Sequence, residues 1–336
     1  MRVFCAVFLG LLLTPFATAQ LPIIDMHLHA FPSDFAGPMP TAHCVSPESM
    51  ISWDQRESYI EAWSRRLSDP PCDDPVWAPQ SDTDVMSETI AALNKLNIFG
   101  VVSGTAEFVQ RYVEASTGRL YSGLEFKISN QEANYSIQEL WKLHAQDRLD
   151  LLGEIPNQYA GIEPADQRME EYWSLAEELN VPVAIHIGTG PPGSPYLGNP
   201  NYRAKLHSAL TLEEVLIEHP ALRVQVMHAG YPMLDDMLVM LYTYPQIYVD
   251  VGVIDWLLPQ AEFYRYLKVI VDAGYSNRVM FGSDQMIWPG VIERSVESIQ
   301  EAPFLSAEQK RDILYNNAAR FLRLSQEEID YHHSTL

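Results

Sequence analysis

Short apolar runs alternate along the chain with segments in which apolar residues recur every three or four positions. The runs predict strands that are buried on both faces, and the periodic segments predict helices that bury one side. Eight strands are expected, at residues 23–29, 98–102, 121–128, 149–155, 181–187, 222–228, 247–251 and 278–282. Strands that alternate with helices favour a parallel sheet, so the pattern predicts an α/β fold, most simply a closed (β/α)8 TIM barrel.

One connection in this pattern is unusually long. Residues 30–83 separate the first strand from the next periodic helix and are rich in Pro, Ser and Asp, with a helical piece near 57–67. Structureless connections of this length are uncommon in compact domains and are often functional lids. We therefore predict a long insertion after strand one, within a single domain that covers residues 20–336.

The N-terminus has the organisation of a secretory signal. Arg2 precedes an apolar run at 3–13, and Ala17-Thr18-Ala19 offers small residues for cleavage before Gln20. The run is shorter than the roughly 20 residues that a membrane span needs. Residues 1–19 are therefore predicted to be a signal peptide, which leaves a secreted or periplasmic protein without a membrane anchor. An uncleaved anchor is the alternative.

Histidines and an aspartate stand where several predicted strands end. His27 and His29 close the first strand, and their imidazoles should point the same way because alternate side chains share one face of a strand. His186, His228 and Asp284 each follow a later apolar run. The carboxyl ends of barrel strands meet at one face, where active sites lie, and imidazole and carboxylate are common metal ligands. The pattern therefore predicts a metal site, with Asp284 as both ligand and general base.

Glu154 ends the fourth predicted strand and is the sixth candidate ligand. A carboxylate at this position could bridge two metal ions, since paired ions about 3.5–4 Å apart clamp and activate a shared water. The alternative is a solvated loop carboxylate, or one that contacts a ligand without binding the metal.

Two cysteines remain after removal of the signal. Cys44 and Cys72 both lie in the insertion, and Cys5 leaves with the signal. Free thiols tend not to persist in oxidising compartments, so an exported chain favours a Cys44–Cys72 disulfide over two free thiols.

The charge of the chain limits its partners. The formal net charge is −22. Such an acidic protein repels nucleic acid and anionic lipid, so neither is expected as a partner. A small-molecule substrate is the remaining expectation.

Three residues close to the candidate ligands are predicted to contact that substrate. Tyr159 and Tyr231 lie just beyond ligand positions, and Arg203 follows the fifth strand, where it could meet an anionic group. Surface positions are the alternative for all three. The other histidines lack the strand-end context and are predicted to be surface or capping residues; they are His43, His144, His207, His219, His332 and His333.

The ligand motifs resemble those of a known superfamily. Asp25-Met26-His27-Leu28-His29, His186, Met227-His228-Ala229-Gly230 and Gly282-Ser283-Asp284 are similar to the amidohydrolase superfamily. The most similar branch is the amidohydrolase-related (amidohydrolase-2) group of metal-dependent TIM-barrel hydrolases. The closing segment 316–322 resembles the last barrel helix of that branch, and the likeness covers residues 21–324 except the insertion.

The resemblance implies a ligand set and a cofactor. His27, His29 and Asp284 would hold the more buried divalent ion, and His186 and His228 would hold a second ion or complete a one-metal site. Zinc is the expected metal, with Mn, Fe or Co as alternatives. Many two-metal members use a carboxylated lysine as the bridge; here Glu154 stands at that position, and Lys127 is an outside candidate.

The resemblance also implies a reaction class. Glu154 favours a hydrolase that cleaves an ester, lactone, amide or phosphoester bond. The branch also contains one-metal, non-oxidative decarboxylases of aromatic or unsaturated acids, which is the alternative. A non-catalytic metal-binding barrel remains a third hypothesis. By analogy, barrels with an added loop subdomain are often dimeric, so a homodimer is a further hypothesis.

Overall fold

Eight parallel strands form the central sheet in the computed structural model, which describes residues 20–129 and 132–335. They are β1 Ile23–Ala30, β2 Ile98–Gly104, β3 Leu120–Leu124, β4 Leu151–Ile155, β5 Val183–His186, β6 Val224–Met227, β7 Tyr248–Asp250 and β8 Val279–Met280. The strands pair in chain order from β1 to β8. The predicted signal peptide, residues 1–19, lies outside the described residues.

Two backbone hydrogen bonds join the last strand region to the first. The Met26 amide donates to the Phe281 carbonyl at 2.9 Å, and the Asp284 amide donates to the His27 carbonyl at 2.7 Å. The chain that follows β8 therefore lies along β1 and closes the ring, which confirms the predicted (β/α)8 barrel.

Helices surround the strands. They are α1 Tyr59–Ser68, α2 Asp82–Lys95, α3 Ala106–Ala115, α4 Ile137–His144, α5 Glu170–Glu178, α6 Glu213–Glu218, α7 Leu234–Thr243, α8 Ile254–Leu257, α9 Gln260–Ile270, α10 Val291–Gln300, α11 Ala307–Arg311, α12 Asn317–Leu322 and α13 Gln326–Ser334. Within the described ranges, no helix combines the length and apolar character that crossing a bilayer requires.

The apolar core has two layers. One lies between the strands and the surrounding helices, and it includes Leu28, Val102, Ile185 and Val226. The other fills the barrel interior below the strand ends; it includes Ile24, Met26, Phe99, Leu151, Ala184, Met227 and Met280. Both faces of the strands are therefore buried, which explains their near-continuous apolar sequences.

An irregularity in β1 sets the direction of its histidines. Ile24 and Met26 pack in the barrel interior, whereas Leu28 packs in the outer layer. The register of β1 with β2 shifts between Asp25 and Leu28. A bulge of this kind re-aims the side chains that follow it. His27 and His29 consequently both point into the barrel interior, on the C-terminal side of the apolar layer that contains Ile24 and Met26.

The third strand is shorter than predicted. It ends at Leu124, and Ile128–Ser129 instead pairs with Glu132–Ala133 in a separate antiparallel ladder. The Asn134 side chain explains the break, because its oxygen accepts from the Lys127 amide and its nitrogen donates to the Glu125 carbonyl.

The segment between β1 and α2 carries structure of its own. It contains α1 and a two-stranded antiparallel ladder of Ala42–His43 with Val76–Trp77. The predicted disulfide between Cys44 and Cys72 is present, with the two Cα atoms 6.0 Å apart. The disulfide links the residue that follows the Ala42–His43 strand to the segment that precedes the Val76–Trp77 strand.

The C-terminal helix α13 was not predicted, and His332 within it corrects the expectation of a surface residue. Its ring is 1% exposed and stacks on Phe99 with centroids 3.7 Å apart. The hydroxyls of Tyr121 and Tyr315 lie 3.2 and 3.1 Å from its two ring nitrogens. Burial lowers the pKa of His332 to about 4, so the neutral ring donates one of these hydrogen bonds and accepts the other.

Replacing His332 with alanine should therefore weaken the whole barrel. His332→Ala removes the stacking contact and both hydrogen bonds, and we expect it to lower the free energy of unfolding by about 2–3 kcal/mol. Urea denaturation followed by circular dichroism measures this change. The matched control is His333→Ala, because His333 is exposed; it should change stability by less than about 0.5 kcal/mol. Equal effects of the two variants would contradict the assignment of α13 to the core.

Candidate metal centre

The strand ends bring all six predicted ligand side chains to one place inside the barrel. Donor atoms of His27, His29 and Asp284 lie within 4.8 Å of one another, and so do donor atoms of His27, Glu154 and His228. The two groups overlap, and they draw on strand ends from across the ring. The donor set of imidazole nitrogens and carboxylate oxygens suits a divalent transition metal.

His27, His29 and Asp284 form the more buried group. Oδ1 of Asp284 lies 3.1 Å from Nε2 of His29 and 3.7 Å from Nε2 of His27. The Nε2 atom of His27 is buried and makes no hydrogen bond. Such an orphaned nitrogen is costly unless something binds it, so this group fits a metal ion.

Glu154 lies between the two pairs of histidines. Its Oε2 atom is 3.4 Å from Nε2 of His29 and 3.9 Å from Nε2 of His27. Its Oε1 atom is 2.5 Å from Nδ1 of His186. The two oxygens of one carboxylate thus face different histidine pairs.

The protonation of His228 follows from its contacts. Its Nδ1 lies 2.9 Å from the Gly252 carbonyl, which can only accept, so Nδ1 carries the hydrogen. Its Nε2 therefore offers a lone pair and lies 3.0 Å from Nδ1 of His186. Burial, together with the neighbouring rings of His186 and His27, lowers the pKa of His228 to about 4. The ring is accordingly neutral, as a metal ligand must be.

Asp250, at the end of β7, completes the site and was missed by the sequence analysis. Its Oδ1 lies 3.2 Å from Nδ1 of His27 and accepts from the Gly252 amide at 2.8 Å. The Gln225 side chain donates to its other oxygen at 2.7 Å. A carboxylate on the far nitrogen of a ligating histidine fixes the ring and its tautomer. Asp250 also ends an apolar run, so the rule that found the other ligands could have found it.

The charges in the centre attract a cation. Burial alone would lower the pKa of His27, but the carboxylates of Asp284 and Asp250 raise it to about 10. Burial acts to raise the pKa values of Glu154 and Asp284; His186 chiefly lowers the first and His27 the second, so both lie below their usual range. The carboxylates are therefore ionised, and a divalent ion would take the place of the His27 proton.

The backbone at the ligands is strained. His228 and Asp284 adopt positive φ angles of 57° and 47°, which non-glycine residues seldom do. Strain of this kind collects at functional sites. Close packing adds a further constraint, because a Cβ atom at Gly252 would lie 2.6 Å from Nδ1 of His27.

A cavity of about 1150 Å³ opens above the centre. One part of its wall is aromatic and apolar and comes largely from the insertion; it includes Phe31, Phe35, Ile60, Trp63, Leu67 and Trp288. Another part is polar and includes Lys127, Asn157, Arg168, Asn199 and Asn201. The metal centre therefore faces a chamber large enough for a small organic molecule.

Of the three predicted substrate contacts, only Tyr159 lies in the cavity wall. Its hydroxyl is 3.4 Å from Nε2 of His186, and burial raises its pKa well above the usual value. Tyr231 instead directs its hydroxyl to Glu262 at 3.4 Å. Arg203 is exposed and donates to the carbonyls of Pro200 and Tyr202. The loops that carry these two side chains turn them away from the cavity.

Three further side chains remain to be located: Lys127, His207 and His43. Lys127 lies in the cavity wall, and its Nζ is 3.4 Å from Oε1 of Glu125. His207 is fully buried, with its ring centroid 5.5 Å from that of His186, which corrects the surface prediction. His43 also lines the cavity and packs against Trp288 at 4.4 Å. His207 is buried by a segment after β5 that sequence periodicity does not describe, and His43 is half-buried in the short Ala42–His43 strand.

Comparisons with known proteins agree with this architecture. A family model described as amidohydrolase matches residues 145–324, and no curated protein sequence matches the chain. A putative metal-dependent hydrolase from Lactobacillus casei is 14% identical, with a TM-score of 0.58 over 92% of this chain and 96% of that chain.

Two further solved structures share the fold. A probable 2-pyrone-4,6-dicarboxylic acid hydrolase from Acinetobacter baumannii is 16% identical, with a TM-score of 0.56 over 90% of this chain and all of that chain. A 5-carboxyvanillate decarboxylase from Sphingomonas paucimobilis is 14% identical, with a TM-score of 0.54 over 91% of this chain and all of that chain. At these identities the likeness concerns the fold alone.

The support that Asp250 gives to His27 leads to a testable effect on metal affinity. Asp250→Asn should weaken the affinity for zinc about 10–100-fold, because the ring of His27 loses the carboxylate that orients it. Competition with a chromophoric chelator measures this affinity. Asp235→Asn is the matched control, since Asp235 is exposed at the start of α7. Unchanged affinity in the Asp250 variant would contradict the supporting role of this carboxylate.

Proposed function

Because the chain belongs to the amidohydrolase family, we propose that it is an exported metal-dependent hydrolase that cleaves a small-molecule ester, lactone, amide or phosphoester. The observation that carries the proposal is the position of Glu154, whose two oxygens face His29 and His186. A carboxylate so placed is suited to bridge two ions, and paired ions are a recurrent device for hydrolysis. Zinc is the proposed metal, with Mn, Fe or Co as alternatives.

The residues of the centre would have different roles in hydrolysis. His27, His29 and Asp284 would hold one ion, His186 and His228 the other, and Glu154 both. The ions would lower the pKa of water and polarise the oxygen of the bond that is cleaved. Asp284 stays ionised because neighbouring positive charge outweighs its burial; His27 supplies that charge without metal, and the bound ion would supply it in its place. Its carboxylate can therefore accept the proton of the attacking water and pass it to the leaving group.

The cavity wall supplies substrate contacts. The Tyr159 phenol remains protonated and beside His186, so it can donate a hydrogen bond to a substrate oxygen. Phe31 stacks on His29 with centroids 4.3 Å apart and shields that ligand from water. The aromatic wall can pack against an apolar part of the substrate.

Export is part of the proposal. It rests on the signal-like N-terminus and is supported by the Cys44–Cys72 disulfide, a bond that persists mainly in oxidising compartments. The net charge of −22 disfavours nucleic acid and anionic membranes, so we propose a small molecule as substrate.

The second candidate is a one-metal, non-oxidative decarboxylase. His27, His29 and Asp284 form a three-donor group without Glu154, which could hold a single ion. The aromatic wall suits an aromatic or unsaturated acid that loses carbon dioxide and takes up a proton. The number of metal ions bound per chain distinguishes this candidate from the hydrolase.

The bridging role of Glu154 makes a quantitative prediction. Glu154→Ala should hold about one metal ion per chain fewer than the wild type, because one of two adjacent ions loses its shared ligand. Plasma mass spectrometry of dialysed, zinc-loaded protein measures the difference. Glu163→Ala, at an exposed position, is the control and should match the wild type. Equal metal content in all three proteins would contradict a bridging role for Glu154 and favour the decarboxylase.

The role of Asp284 distinguishes a catalyst from a metal-binding protein. Asp284→Asn should lower kcat about 10²–10⁴-fold on ester, lactone, amide or phosphoester panels, since proton transfer contributes effects of this size. Metal content should be measured on the same samples. A wild-type protein that is fully loaded yet inert on these panels and on carboxylic acids would indicate the non-catalytic barrel. Release of carbon dioxide alone would indicate the decarboxylase.

A further inference from the structure

A second group of candidate ligands lies outside the barrel, between α5 and α6. His219 is the C-cap residue of α6, in keeping with the prediction of a surface or capping residue, and it is only 5% exposed. Donor atoms of His219, Glu170 and Glu218 all lie within 4.8 Å of one another. None of these residues lines the cavity above the metal centre.

Glu177 orients the His219 ring. Its Oε2 lies 3.4 Å from Nδ1 of His219, and its Oε1 accepts from the Ala221 amide at 2.8 Å. A carboxylate anchored in this way places the ring hydrogen on Nδ1 and leaves a lone pair on Nε2. This is the arrangement in which a carboxylate supports a metal-binding histidine.

The Nε2 atom of His219 has no hydrogen-bond partner, although it is buried. It points at the cluster, where Oε1 of Glu170 lies 3.2 Å away. A divalent ion beside both atoms could take an electron pair from each. Ligands of a tetrahedral zinc ion, with bonds of 2.0–2.1 Å, are separated by about 3.3 Å.

We propose that His219, Glu170 and Glu218 form a second divalent-metal site, suited to zinc, that ties α5 to the end of α6. One nitrogen and two carboxylate oxygens give three protein ligands. Glu170 and Glu218 are exposed, so water can complete the coordination. The only side-chain hydrogen bond to Glu170 among the described residues is a 3.5 Å contact from Ser174, which leaves its oxygens free to bind.

The site is independent of the proposed function. It shares no residue with the centre inside the barrel, so it would bind zinc whether that centre hydrolyses, decarboxylates or only binds metal. Its role would be structural, because binding to the folded chain alone stabilises the fold by mass action.

The test compares two double variants of the full chain. Glu170→Gln with Glu218→Gln removes both carboxylates of the site, and Glu171→Gln with Glu178→Gln changes the charge of the same region equally at exposed positions of α5. Zinc chloride is the probe. We expect the first variant to hold about one zinc ion per chain fewer than the wild type and to lose a zinc-dependent rise in Tm of a few degrees. The control variant should behave like the wild type.

A third variant tests whether the zinc ion is bound at the outer site rather than at the centre inside the barrel. His27→Ala, which disables the centre inside the barrel, should retain the outer zinc ion and its effect on Tm. Equal zinc content and equal Tm responses in the two double variants would overturn the proposal.

Discussion

The burial of carboxylates among imidazoles at one end of the barrel is the constraint on which the rest of the structure depends. Glu154, Asp250 and Asp284 lie beside His27, His29, His186 and His228, largely out of water. Unpaired buried charge is costly, so each carboxylate must have a partner. A bound divalent ion would satisfy several of these groups at once.

The barrel meets this constraint by linking strands that are far apart in sequence. Asp25 accepts from the amides of His27 and Ser283, each at 3.0 Å, and so ties β1 to the chain after β8. Asp250 connects β7 to both His27 and His228. The Gln285 side chain donates to the His29 carbonyl at 2.8 Å and accepts from the His29 amide. Ligand geometry and barrel closure therefore depend on the same contacts.

The sequence predicted the parts of the site that follow from strand periodicity. Strands buried on both faces leave apolar runs, and the residues that end those runs converge on one face, so His27, His186 and His228 could be identified together. Glu154 and Asp284 followed from the same rule, and Asp250 would have done so.

The remainder depends on tertiary contacts that periodicity does not encode. Tyr231 and Arg203 lie on loops whose side-chain directions are set by neighbours such as Glu262. The helix α13 buries an imidazole rather than an apolar stripe, so His332 gave no hydrophobic signal. His207 and His219 are likewise buried by packing between elements distant in the chain.

The most direct test of a two-ion centre bridged by Glu154 is anomalous X-ray diffraction at the zinc edge from crystals of the zinc-loaded protein. The account predicts two anomalous peaks inside the barrel, about 3.5–4 Å apart, with the Glu154 carboxylate between them. A single peak among His27, His29 and Asp284, with Glu154 directed elsewhere, would contradict it.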